Sequence, residues 1–123
     1  MVTKTFSVIA FFVFTYSTPA LAQDATAGAI VYKRCAICHT LTPGSGSMIG
    51  PHLKGVVGRM SGGVPKYNYS PAMQKAKLTW DKTNLDRYLA KPAAVVPGNK
   101  MAYGGLYSPK DRGDLIAFLA TQK

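Results

Sequence analysis

Cysteine is scarce in this chain, two residues in 123, at Cys35 and Cys38. That excludes a framework of several disulfides. With only His39, His52 and five aspartates to add, it also leaves little for a zinc site, which takes about four ligands. Acidic residues are few, five against fifteen Lys and Arg, for a formal net charge of +10. The basic residues are scattered, without the dense run or basic helix face of a nucleic-acid reader. No apolar run reaches the roughly 20 residues that cross a bilayer. Alternating strand patterns and internal repeats are missing too, which argues against a β architecture or a solenoid.

What is present begins with export. Met1-Val2-Thr3-Lys4 is a basic start, and an apolar stretch follows through Phe6, Val8, Ile9, Phe11, Phe12, Val13 and Phe14. Thr18-Pro19-Ala20-Leu21-Ala22 then supplies an Ala-x-Ala end. This is the pattern of a secretory signal peptide, residues 1–22, cleaved after Ala22. A retained membrane anchor is disfavoured by the short run. Residues 23–123 are then one domain of about a hundred residues, soluble in an exported compartment, with a modest core of its own. Four of the five phenylalanines lie in the signal. The mature core therefore leans on Leu, Val, Ile, Tyr and one Trp.

Both cysteines fall in Cys35-Ala36-Ile37-Cys38-His39. Two thiols three positions apart, with histidine directly after the second, fit covalent haem attachment: each sulfur adds to one vinyl group and the imidazole reaches the iron. One haem c per chain is expected. A thioredoxin-like redox pair would need strand and helix alternation that is not found, and a plain disulfide in a haem-free export protein remains as a structural alternative. A haem held by His39 needs one further axial ligand. Pro97-Gly98-Asn99-Lys100-Met101-Ala102-Tyr103 offers a thioether in a stiff, Gly-containing loop, so Met101 is the expected second ligand.

Along the chain, Asp24 to about Cys38 is rich in helix formers and starts with an acid, where the helix dipole favours it. Gly28 and Tyr32, four apart, share one face. From Thr40 to Pro65 the chain is loop, dense in Gly and Pro. A structureless run of that length in a small domain is expected only where it wraps something bound, and a flat ring suits it. Ser70-Pro71 announces a short helix and Asp81 caps another, with Leu85, Tyr88 and Leu89 on one face. Pro92 ends that helix, and Ala93–Val96 adds a turn before Pro97-Gly98. Ser108-Pro109-Lys110-Asp111 opens a last helix carrying Leu115, Ile116, Phe118 and Leu119. The expected class is all-α with long loops.

Taken in order, these segments resemble a class I c-type cytochrome, the family of small electron carriers that includes mitochondrial cytochrome c and its soluble bacterial periplasmic counterparts. The likeness runs from Gly28 and Tyr32 through the Cys35–His39 motif and Gly50-Pro51-His52-Leu53-Lys54-Gly55. It continues through Tyr67-Asn68-Tyr69-Ser70-Pro71, Leu78-Thr79-Trp80, Tyr88-Leu89, the Met101 loop and Asp114–Leu119. It implies the cytochrome c fold, with N- and C-terminal helices packed together, Gly28 and Tyr32 meeting Leu115 and Phe118. It implies that Cys35 and Cys38 hold the haem, that His39 and Met101 are the metal ligands, and that the Pro51 carbonyl accepts a hydrogen bond from His39. Arg59, Tyr69, Trp80 and Asn99 are expected around the haem propionates, and Tyr88 against the Met101 sulfur.

Met48, Met60 and Met73 are rival sulfurs without the Pro-Gly loop. His52 replaces an Asn common at its place in the family and is expected at the surface. The resemblance implies a monomeric, non-enzymatic carrier passing single electrons between membrane-bound complexes. Its partners would present acidic docking sites: a cytochrome bc-type donor, and an oxidase or photosynthetic reaction centre as acceptor. Contact with the membrane would be peripheral, and nucleic acid is not a partner. Ala93, Ala94, Val95 and Val96 stand where the mitochondrial protein has lysines. Arg34, Lys100, Lys110 and Arg112 remain near the presumed haem edge, so a weaker docking field is expected. A rival reading keeps the haem but lets Met101 be displaced, giving a small peroxidase or ligand-binding haem protein.

Overall fold

Four helices start at a side chain that accepts a hydrogen bond from its own first turn. Asp24 takes the Thr26 and Ala27 amides before α1 (Ala25–Tyr32), and Ser70 takes that of Met73 before α2 (Pro71–Ala76). Asp81 takes that of Asn84 before α3 (Lys82–Ala90), and Ser108 that of Asp111 before α5 (Pro109–Ala120). Such caps are worth about 1 kcal/mol each. Pro71 and Pro109 sit in the first helical turn, where the missing N–H costs nothing. Pro92 ends α3 and also begins the short α4 (Pro92–Val95), after which Gly98 turns the chain at φ +86°. The computed structural model describes residues 1, 11–17, 22–44 and 49–123. Most of the expected signal segment, with the start of its cleavage motif, and Met48 lie outside them.

The first helix is shorter than anticipated. Beyond Tyr32, the amides of Lys33, Arg34 and Cys35 bond three residues back instead of four, and residues 33–38 form turns that deliver His39. Among the described residues the only extended pairing is a single bridge between Met60 and Thr79. Around it Trp80 donates to Arg59, and the Gly58 amide to Trp80, which fastens the long loop to the start of α3. The architecture is all-α with long loops. No helix of the described residues is long and apolar enough to cross a membrane.

The helix crossing anticipated from Gly28 and Tyr32 is present. A Cβ on Gly28 would stand 1.9 Å from the Asp114 carbonyl oxygen and 2.8 Å from Phe118 Cβ, so only glycine permits this approach of α1 to α5. The Tyr32 and Phe118 rings lie 5.4 Å apart. The Asp24 amide donates to the buried Asp114 carboxylate, which also takes the Lys110 ammonium. Beyond the crossing, Val56, Trp80, Leu85, Tyr88, Val96, Leu106, Leu115, Ile116 and Leu119 form the buried core. That core does not close on itself: several members face a cavity.

Candidate cofactor site

A cavity of about 570 Å³ lies between the turn after α1, the loop around Pro51, α3, the segment after α4 and the inner face of α5. Cofactor pockets typically measure about 300–1,000 Å³. Cys35, Cys38, His39, Pro51, Arg59, Tyr69, Trp80, Tyr88, Asn99 and Met101 all line it, with Leu85, Leu115 and Leu119 as an apolar floor. Residues scattered over 67 positions of the sequence thus share one wall system.

His39 is the most closely fixed of them. Its backbone amide donates to the Cys35 carbonyl at 2.9 Å, and its own carbonyl accepts from the Tyr32 hydroxyl at 3.1 Å. Its Nδ1 donates to the Pro51 carbonyl at 2.7 Å. Burial pushes the imidazole below its ordinary pKa, although the Pro51 bond pulls the other way and Arg59 adds a smaller depression. The ring is therefore neutral at pH 7, with its proton on Nδ1 and its lone pair on Nε2. Gly50 makes this position possible: a Cβ there would fall 2.6 Å from His39 Cε1. Sequence reasoning assigned Gly50 no role, because the reason lies in a ring eleven residues away.

Met101 is held by Asn99, whose side-chain oxygen accepts the Met101 amide while its side-chain nitrogen donates to the Val96 carbonyl, both at 2.9 Å. Asn99 therefore braces the sulfur-bearing loop with groups expected to face a propionate. Arg59 is similarly engaged, donating to the His52 and Lys54 carbonyls. The Tyr69 oxygen accepts from the Val64 amide at 3.0 Å and keeps its own proton to donate. Trp80 and Tyr88 pack at 4.8 Å, and burial pushes the Tyr88 phenol to a pKa of about 12. The Trp80 N–H and the Tyr88 hydroxyl have no hydrogen bond to the described residues.

The rival sulfurs separate. Met60 is exposed, and its sulfur accepts from the Thr79 hydroxyl outside the cavity, whereas Met73 lines the cavity together with Met101. His52 departs from expectation. It is half-buried, with Nδ1 shut away from solvent and unpaired, while Arg59 donates to its carbonyl. Burial, then Arg59, lowers its pKa, with the Lys54 backbone opposing.

The basic rim is smaller than anticipated. Arg34 and Lys100 line the cavity, but Lys110 is bound to Asp114 and Arg112 to Asp86 at 2.7 Å, away from it. Lys100 bonds the Asn68 carbonyl and lies 4.9 Å from the Tyr67 ring centre. Exposed Ile37 and Ile49 also line the cavity.

Cys35 and Cys38 are unpaired thiols, and burial pushes the Cys35 thiol above its ordinary pKa. Among the described residues no three His, Cys, Asp or Glu side chains are grouped to hold a metal ion. Two thiols, a neutral imidazole, a thioether and unpartnered N–H and O–H donors around an apolar cavity fit a haem with acidic side arms, since buried carboxylates require donors.

Comparison with known proteins agrees. The family described as cytochrome c matches residues 25–123. The chain is 50% identical over 101 residues to cytochrome c2 of Rhodomicrobium vannielii, covering 82% of this chain and 81% of that protein. It is 49% identical over 100 residues to cytochrome c of Arabidopsis thaliana, covering 80% and 89%. Among solved structures, cytochrome cH from Methylobacterium extorquens superposes with a TM-score of 0.75 at 42% identity, over 80% of this chain and 98% of that one.

Proposed function

The chain belongs to the cytochrome c family, and we propose that it is an exported carrier of single electrons whose haem c is held through Cys35 and Cys38 and ligated by His39 and Met101. Members of this family carry a covalently attached haem c and act as electron carriers. The observation that supports the ligand assignment is the pairing of His39, whose Nδ1 bond to Pro51 leaves Nε2 as the ligand atom, with Met101 in the same cavity.

Bound there, the haem supplies a one-electron change between ferrous and ferric iron. The residues around it set the conditions for that change. Pro51 fixes the His39 ring and its tautomer, and Asn99 holds the Met101 loop. A thioether ligand and an apolar surround raise the reduction potential, and Leu85, Leu115 and Leu119 provide the second of these. The Trp80 N–H, the Tyr69 hydroxyl and the nearby Arg59 charge would offset buried propionates, and Tyr88 would lie against the Met101 sulfur. With His39 and Met101 both held by the iron, the site would suit electron transfer and not peroxide chemistry.

Redox partners present acidic sites to the Arg34 and Lys100 rim, and the apolar Ile37 and Ile49 that line the same cavity make the contact less salt-sensitive than an all-lysine edge. The donor is a cytochrome bc-type complex, and the acceptor an oxidase or photosynthetic reaction centre. The signal, cleaved after Ala22, delivers the monomer to the periplasm. The ligand assignment is tested by Met101→Ala beside Met73→Ala. Met101→Ala removes the sulfur-to-iron charge-transfer band of the ferric protein and lowers the potential, and Met73→Ala preserves the band. The reverse pattern would move the assignment to Met73.

A further inference from the structure

Among the described residues of 23–123, the methionines differ in exposure. Met73 and Met101 are half-buried and line the cavity, whereas Met60 is 49% exposed and lies outside it. Its sulfur is nonetheless engaged, as acceptor of the Thr79 hydroxyl at 3.4 Å. Surface side chains that touch are ordinarily free to part. These two are held, because Met60 and Thr79 oppose each other in the antiparallel bridge. On its two sides the Ser61 amide donates to the Leu78 carbonyl at 2.7 Å, and the Trp80 amide to the Arg59 carbonyl at 2.8 Å. The Leu78 amide adds a bond to the Ser61 hydroxyl at 2.9 Å. Directly opposed residues of an antiparallel pair carry their side chains on one face, so the backbone presents the hydroxyl to the sulfur.

A thioether sulfur has two lone pairs and is a weak acceptor. The Thr79 proton covers one of them and leaves the other as the one available to an oxidant. Oxidation of methionine gives a chiral sulfoxide, and each epimer is repaired by its own reductase.

We propose that Met60 is a site of stereoselective oxidation by hydrogen peroxide, taken at the lone pair that Thr79 leaves free, while the cavity sulfurs remain thioethers. One peroxide oxygen bonds to Sδ as the O–O bond breaks, and the sulfur gives up two electrons to the peroxide. The second oxygen leaves as hydroxide and takes up the proton that the first releases, so one water is formed. The product is polar and lies at the surface, where it disturbs no core, and the bridge keeps its backbone bonds. Peroxide is thus consumed without altering the residues that line the cavity.

The test is brief treatment of the ferric, haem-loaded protein with dilute hydrogen peroxide, followed by tryptic mapping. Peptide 60–66 contains Met60 as its only methionine. It should gain one oxygen several times faster than the peptides holding Met73 and Met101. Applied to the isolated peptide, one of the two epimer-specific methionine sulfoxide reductases should remove nearly all of that oxygen, and the other almost none. After Thr79→Val each enzyme should remove a comparable share, whereas Thr79→Ser, which keeps the hydroxyl, should behave as wild type. Met60 oxidised no faster than Met73 or Met101 overturns the site, and mixed epimers in the wild type overturn the role of Thr79. The map reads each sulfur separately, so neither result depends on which methionine ligates the iron.

Discussion

Where α1 crosses α5, the protein's own atoms fill the space so completely that Gly28 has no room for a methyl group under Asp114. On an adjoining face of the same helix α5, Leu115 and Leu119 border a cavity of about 570 Å³. The crossing is closed by packing, a capped helix start and the Asp24–Asp114–Lys110 cluster. Around the cavity, Arg59 and Asn99 spend their hydrogen bonds on their own loops, and Trp80 and Tyr88 retain unpartnered donors. One region is complete as polypeptide. The other is a lining that leaves donors unmet and fits a haem, so the two should respond differently to perturbation.

The largest effect is expected from removing the attachment points. Cys35→Ser with Cys38→Ser should yield chain without covalent haem and without a cooperative thermal transition by circular dichroism, because a chain of this size loses much of its buried surface with the porphyrin. An apoprotein melting cooperatively at the holoprotein's temperature would break the comparison. Next is Gly28→Val, which forces side-chain atoms against α5 backbone. Overpacking of this kind costs about 1–3 kcal/mol, and backbone that cannot rotate away favours the upper end. Denaturant titration measures that loss. The folded fraction should keep its visible spectrum and potential, since Gly28 does not line the cavity.

The crossing was legible in sequence because its signals are local. Asp24, Ser70, Asp81 and Ser108 sit where caps belong, and Gly28 and Tyr32 share a face by spacing alone. The haem motif is equally local. What escaped depends on neighbours distant in the chain. Arg112 was placed at the haem edge, but Asp86, 26 residues earlier, holds it elsewhere. Lys110 is held by Asp114 at i+4, a local pairing that takes its charge away from the rim. Met73 faces the cavity, and Asn99 braces a loop, through contacts that no periodicity encodes. Residues 33–38 look like helix formers, but the amides of Lys33, Arg34 and Cys35 bond three residues back, so α1 ends at Tyr32 and not at Cys38.

A smaller change sharpens the contrast from the cavity side. Tyr69→Phe leaves the Val64 amide without its acceptor, a loss of about 1–2 kcal/mol for a partly buried donor. The same substitution removes a hydroxyl from the propionate neighbourhood. Stability and reduction potential should therefore move together here, whereas Gly28→Val moves stability alone. A Tyr69→Phe protein with unchanged potential would place the Tyr69 hydroxyl outside the haem's field.

The least conspicuous effect should appear only in acid, at the crossing. The Lys110 ammonium, then the Asp24 amide, hold the Asp114 carboxyl below the ordinary carboxylate range. A carboxyl depressed on folding stabilises the folded state at pH values above its unfolded pKa, and that contribution fades as pH falls through the lower folded value. Asp114→Asn should therefore be less stable than wild type at neutral pH, and the gap should narrow as pH falls below about 4, the ordinary aspartate range. Urea titrations at pH 7 and in acid would show whether the two proteins converge. A gap that stayed constant would mean that Asp114 matters for packing alone, and that Lys110 adds nothing to the side of the molecule that needs no haem.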